Sequence, residues 1–178
     1  MTDFSHRLAT EDDLVMLRDL MSRAIAELQR GFLTPAQVAA SHTVMGLDTQ
    51  LVRDRTYFIV ERDGALAGCG GWSWRATLYG GDDSAVARQS EPLDPATDAA
   101  RIRAMYTNPD FARQGVGKLI IELCEGAARA YGFGRAEMMA TLSGEPLYRA
   151  CGYSEVERIV SAPVDGVTVP LIRMAKSL

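Results

Sequence analysis

The stretch Met105-Tyr106-Thr107-Asn108-Pro109-Asp110-Phe111-Ala112-Arg113-Gln114-Gly115-Val116-Gly117-Lys118-Leu119-Ile120 decides how this chain is read. It begins in the last residues of a run, 100–106, that reads as a strand, and turns at Asn108-Pro109-Asp110. It ends in a helix: Val116, Leu119, Ile120, Leu123 and Ala127 share one face, Lys118, Glu122, Glu125 and Arg129 lie off it, and Gly132 is placed to end it. A strand that passes through a glycine loop into a helix gathers unpaired backbone N–H groups and the positive end of the helix dipole at one point, which attracts phosphate. Glycine at 115 and 117 matters because a β-carbon there would hold a pyrophosphate off the backbone, and Arg113 and Lys118 add positive charge. Two glycines alone fit an ordinary helix entry equally well. The two commonest phosphate loops are excluded: a nucleotide P-loop needs four residues between its first glycine and a Gly-Lys pair, and a dinucleotide fingerprint needs a third glycine where Ile120 stands.

Working outward, Arg135–Thr141 reads as the next strand, 145–151 as a short helix, and 154–161 with 167–174 as a final hairpin turning at Asp165-Gly166. Towards the amino terminus, Thr10 with Asp13 resembles a capping box, and Leu14, Leu17, Met21, Ile25 and Leu28 recur on one helical face. Thr34, Pro35 and Gln37 open a second helix. Two helices are therefore expected before any central strand. Residues 56–61 and 66–74 form a hairpin about Asp63-Gly64. Residues 75–100 hold five acids against two arginines and no sustained period, so they are either an ordered functional loop or a disordered insertion. Gly126 lies inside a helix, where it is less stable than alanine by about 1 kcal/mol and suggests close packing.

At 178 residues, 47% hydrophobic and 24% charged, the chain is expected to be one globular domain, 1–178, containing the long loop 75–100. A formal charge of −4 argues against nucleic acid or an anionic membrane as the partner and favours a small molecule or a cationic ligand. Cys69, Cys124 and Cys151 are odd in number and lack metal-ligand spacing, so they read as reduced core thiols in a cytoplasmic protein, and no metal site is expected. No apolar run approaches a membrane span, and residues 1–10 lack the order of a signal peptide, so neither export nor anchoring is expected. His6 and His42 stand alone and read as surface or structural residues. Trp72 and Trp74 alternate along a strand and read as core packing, with the wall of a cleft as the other use; Arg101 and Arg103 read as paired or exposed.

Residues 105–120 resemble the cofactor motif of the GNAT superfamily of acyl-CoA N-acyltransferases. Leu147-Tyr148-Arg149-Ala150-Cys151-Gly152-Tyr153 is similar to the second signature of that family, one strand and one short helix further on. Residues 75–100 lie outside the resemblance. Ala112 stands where the family usually has glutamine or arginine, with Arg113 displaced by one, and Thr141 stands where many members carry an asparagine that holds the cofactor's arm. The resemblance implies an α/β (α+β) fold with a mixed, largely antiparallel central sheet flanked by helices. It also implies acetyl-CoA as acyl donor, its pyrophosphate bound by backbone N–H groups of Gln114, Gly115, Val116, Gly117 and Lys118, and its pantetheine paired along Met105, Tyr106 and Thr107. An amine would attack the thioester directly, a backbone N–H near Tyr106 would hold the oxyanion, and Tyr148 would protonate the leaving thiolate. Glu61, Glu137, Asp98 and a water remain open as the base. The expected partner is a primary amine of a small molecule or peptide, a polyamine being faintly suggested by the acidic loop. A non-catalytic acyl-CoA-binding sensor is the alternative, and dimerisation through a sheet edge or the final hairpin is left open.

Overall fold

A computed structural model describes residues 3–178. Met1 and Thr2, which open the segment read for a leader, lie outside the described residues. Among the described residues seven strands form one sheet: β1 (Ser5–Leu8), β2 (Tyr57–Arg62), β3 (Ala65–Ser73), β4 (Ala100–Thr107), β5 (Arg135–Thr141), β6 (Ser154–Val160) and β7 (Pro170–Ser177). Their order is β1-β2-β3-β4-β5-β7-β6, antiparallel throughout except for the parallel pair β4–β5. Five helices flank it: α1 (Leu14–Leu28), α2 (Pro35–Val44), α3 (Thr49–Arg53), α4 (Val116–Tyr131) and α5 (Glu145–Ala150). The mixed, largely antiparallel sheet is the fold class that the resemblance implied.

Two elements went unread. β1 pairs with β2 ahead of α1, so a strand precedes the helices after all; it is four residues long and mostly exposed, and shows no apolar alternation. α3 is five residues, a single turn capped by the Asp48 side chain, too short for a periodic face. Where local chemistry was explicit the chain follows it. Thr34 and Gln37 exchange both capping-box bonds, at 3.2 and 3.1 Å, and the Thr10 N–H donates to Asp13 at 2.8 Å. The β2–β3 turn takes consecutive positive φ at Asp63 and Gly64, as a two-residue hairpin requires.

Side chains alternate along β2: Tyr57 and Ile59 face α1 and α3, while Val60 faces α4. The two faces build separate cores, one under α4 with Val116, Ile120, Ile121 and Cys124, the other under α1 with Leu17, Met21 and Ile25. α2 closes a third, smaller cluster against Val169 and Leu171 at the start of β7. Gly68 and Gly70 of β3 let α4 lie directly on the sheet: a β-carbon at either would come within 2.5 Å of Val116 or 2.6 Å of Ile120. Gly126, by contrast, has nothing within 4 Å of its absent β-carbon, so close packing does not explain it. Glu125, read as lying off the helix face, is buried and meets Lys176 at 2.8 Å and Arg129 at 3.2 Å.

Residues 75–99 are not a disordered insertion. They form a pinned strap in which Thr77 and Gln89 exchange backbone and side-chain bonds, Arg75 pairs with Asp54 at 2.7 Å, and Arg88 pairs with Asp48 at 2.9 Å. Cys69 and Cys124 are buried thiols, and burial pushes Cys69 up to about 12; Cys151 is half-buried, a free thiol packed against the core under α4. Among the described residues, no helix is long and apolar enough to cross a membrane.

Candidate active site

β4 and β5 pair over three residues only, Ala100 to Ala136, Arg101 to Glu137 and Ile102 to Met138. Beyond them β4 bulges. Cys69 faces Tyr106 and Gly71 faces Arg103, which leaves one extra residue on β4, and Ala104 adopts a φ of +49°. The bulge is held from behind by the buried Tyr57 hydroxyl, which donates to the Ala104 carbonyl at 2.6 Å. β4 therefore swings away from β5, and the edge of residues 103–107 that would have faced β5 is left without a strand.

The loop from β4 to α4 lies at the mouth of that split. Asn108 accepts from the Asp110 N–H at 3.0 Å, and Arg23 of α1 clamps Asp110 at 2.8 Å. Arg113 and Gly115 both take left-handed φ, +65° and +90°, which turns successive N–H groups to one side. The first intrahelical bond of α4 runs from Leu119 N–H to Gly115 O, so the N–H groups of Val116, Gly117 and Lys118 precede it and have no partner in the helix. No side chain caps this end. A β-carbon on Gly117 would come within 2.5 Å of the Leu147 side chain, whereas one on Gly115 would meet nothing within 4 Å.

A cavity of about 630 Å³ runs from this loop through the split to the C-terminal end of α1. Met105, Tyr106, Thr107, Ala112, Arg113, Gly115, Val116, Gly117, Lys118, Thr141 and Tyr148 all line it. Gln114 does not: its side chain turns back to the Asp110 carbonyl at 3.2 Å. Tyr148 sits on α5, packed edge-on against Tyr153, and none of the side-chain hydrogen bonds among the described residues involves its hydroxyl. Burial pushes that hydroxyl up to about 12, so it stays protonated through the ordinary pH range. Tyr106 is raised as well, again by burial, although its oxygen accepts from the Gly46 N–H at 2.9 Å. Thr141 shares a hydrogen with Ser143 at 3.1 Å and receives the Gly144 N–H at 3.2 Å.

The far end of the cavity is made by residues not singled out beforehand: Ile25, Leu28, Gln29, Phe32, Met45, Tyr79 and Leu171. Ile25 and Leu28 show only apolarity at helical spacing, which reads equally as core, and Gln29, Phe32, Met45, Tyr79 and Leu171 carry no pattern that joins them. Arg103 also lines the cavity; it is buried and pairs with Asp48 at 3.0 Å, while the strap carbonyls of Thr77 and Gly80 accept from it at 3.1 and 2.7 Å. Burial lowers its pKa, and Asp48 opposes the shift.

Several candidates are elsewhere. Glu61 meets Arg7, Glu137 is enclosed by Arg101 and Arg173, and Asp98 receives the Asp94 N–H; none lines the cavity. The acids of the strap do not line it either, which removes the polyamine hint. Trp72 and Trp74 cluster with Tyr131 and Phe133 at the other end of α4, so the cleft-wall use fails and the packing use stands. Arg101 and Arg103 are both paired. His6 and His42 are exposed, and among the described residues no cluster of three His, Cys, Asp or Glu is arranged to hold a metal.

A mixed sheet split after a short parallel pair, a β4 bulge and a bare helix N-terminus at the mouth of the split fit the class of acyltransferases that residues 105–120 and 147–153 resemble. The chain belongs to the acetyltransferase (GNAT) family, whose model matches residues 22–153. Among solved structures it is similar to a GCN5-related N-acetyltransferase from Rhodopseudomonas palustris, at 17% identity and a TM-score of 0.75 over 100% of this chain and 98% of the other. It is similar also to the PaiA N-acetyltransferase of Thermoplasma acidophilum in complex with coenzyme A (11% identity, TM-score 0.64, 99% of each chain). A third is the ribosomal-protein-alanine N-acetyltransferase of Brucella melitensis (16% identity, TM-score 0.65, 98% of this chain and 99% of that one). No curated protein sequence matches the chain.

Proposed function

We propose that this single-domain protein, acting in the cytoplasm, transfers the acetyl group of acetyl-CoA to a primary amine of a small molecule or peptide. The observation that carries the reading is the convergence on one cavity of three things: the unpartnered N–H groups that open α4, the bare edge of β4, and the Tyr148 hydroxyl. The first suits a pyrophosphate, with Arg113 and Lys118 alongside. The second suits the amides of a pantetheine arm, laid along Met105, Tyr106 and Thr107 as an added strand, with Thr141 on the opposite wall. The donor supplies an activated thioester. Holding it in the split brings its carbonyl towards the backbone N–H groups around Tyr106, which would receive the developing oxyanion.

In this reading the amine nitrogen bonds to the acyl carbon, the carbon–sulfur bond breaks, and Tyr148 delivers its proton to the departing sulfur. Because burial raises Tyr148, the proton is present over the whole range in which an amine is free to react. The test combines calorimetry with acetyl-CoA and thiol release across a panel of primary amines. Micromolar binding with turnover is expected; tight binding with no thiol release from any amine would instead favour the non-catalytic sensor.

A further inference from the structure

The acceptor end of the cavity has an unusual inventory. Its titratable groups are three tyrosines, Tyr79, Tyr106 and Tyr148, and the cavity as a whole adds three cations, Arg103, Arg113 and Lys118. Among the described residues no aspartate, glutamate or histidine lines it. Asp48, the carboxylate behind Arg103, is buried and already engaged by Arg103, by Arg88 and by the Gln50 N–H. An ammonium entering this space would lose its hydration and find no free counter-ion. No carboxylate or imidazole is there to take its proton.

The one further polar group at this end is the neutral amide of Gln29, whose buried Oε1 has no hydrogen-bond partner among the described residues and can accept from an amine N–H without supplying a charge; the residues around it are apolar. Leu28, Met45 and Leu171 form the walls, and Phe32 stands half exposed at the rim, where the turn after α1 passes through Gly31 at a φ of +85°. A large exposed aromatic beside a cavity of this lining suits an apolar body rather than a charged one.

We infer that the acceptor enters as the neutral amine, and that the substrate is a weakly basic primary amine carried on an apolar body. This rests on the acetyltransferase reading above and narrows its substrate class. The chemistry sorts amines by their own basicity. At pH 7.5 an α-amino group of pKa about 7.7–8.0 is neutral in roughly a third of molecules, whereas an alkylamine near 10.4 is neutral in about one in a thousand. An α-amine and an arylamine share the required weakness as bases.

The experiment compares phenylalaninamide, phenethylamine and 4-ethylaniline, which share an aromatic body, with acetyl-CoA and the full chain between pH 6.5 and 9.5. For phenylalaninamide kcat/KM should level off above its own pKa. For phenethylamine it should keep rising about tenfold per pH unit, starting at pH 7.5 at least about tenfold below phenylalaninamide, since the weaker nucleophilicity of the weaker base offsets part of the ratio in neutral fraction. The 4-ethylaniline arm, flat across the range, distinguishes an arylamine from an α-amine as the preferred source. Calorimetry of phenethylamine binding to the protein with coenzyme A, in two buffers of different ionisation enthalpy, should show about one proton released per amine bound at pH 7.5. Equal efficiency of phenethylamine and phenylalaninamide at pH 7.5, or binding of phenethylamine without proton release, would overturn the inference while leaving the acetyltransferase reading intact. No turnover of any amine by protein that binds acetyl-CoA would overturn both.

Discussion

The two ends of the cavity are built by different means. The end proposed for the donor is made by backbone: a bulge at Ala104, left-handed turns at Arg113 and Gly115, and the bare first turn of α4. The end proposed for the acceptor is made by side chains from α1, the α2–α3 connection, the strap and β7, brought together only by the completed fold. Part of this backbone construction leaves a mark in the sequence, because Gly115 takes its left-handed turn without strain, whereas Ala104 and Arg113 do so with no residue type to announce it. A wall of Leu, Met, Phe and Tyr leaves none, because the same residue types fill any core.

The first prediction, and the largest, tests the donor end. Gly117→Glu places a carboxylate against the opening of α4 and crowds Leu147, so acetyl-CoA affinity should fall by at least about 100-fold by calorimetry, with circular dichroism unchanged. Retained affinity would break the assignment of this end to the donor. Next, Tyr148→Phe removes only a hydroxyl that lacks a side-chain partner, so kcat should drop about 100-fold while acetyl-CoA affinity holds. A variant kcat equal to the wild-type kcat across pH 7 to 9, where the wild-type hydroxyl, raised to about 12, remains protonated, would move the proton donor elsewhere.

The acceptor end is tested by smaller effects of the opposite selectivity. Asp48→Asn weakens the buried pair with Arg103 that fastens the strap, lowering Tm by several degrees, from a destabilisation of about 2 kcal/mol, and raising acceptor KM about tenfold. Acetyl-CoA affinity should be unaffected, and a matching loss there would mean that the two ends are not separable. Smallest of all, Phe32→Ala should raise acceptor KM a few-fold and leave stability within about 0.5 kcal/mol, because the ring is half exposed.

What could be read in advance follows the same division. The β4 turn, α4, α5 and the capped start of α2 were legible because Asn108-Pro109, Gly115, Gly132 and the Thr34–Gln37 box each impose a local geometry. β1 and α3 were not, being too short to carry a period. Eleven of the twelve residues nominated on the resemblance line the cavity, Tyr148 among them placed only through the motif, while Gln114 turns away. Leu28, Phe32, Met45 and Tyr79 were invisible as a set, for they lie on three separate segments and meet only once α1 and the strap have docked.

The three-residue join between β4 and β5 has a mechanical consequence. The sheet behaves as two plates stapled along one short side, each internally well laced by antiparallel ladders, with the strain of opening concentrated at the staple. A donor lying in the gap would act as the missing lacing between them. Its arrival should therefore register as slower amide hydrogen exchange along the facing margins of both plates, residues 103–107 and 139–141, before any acceptor is present.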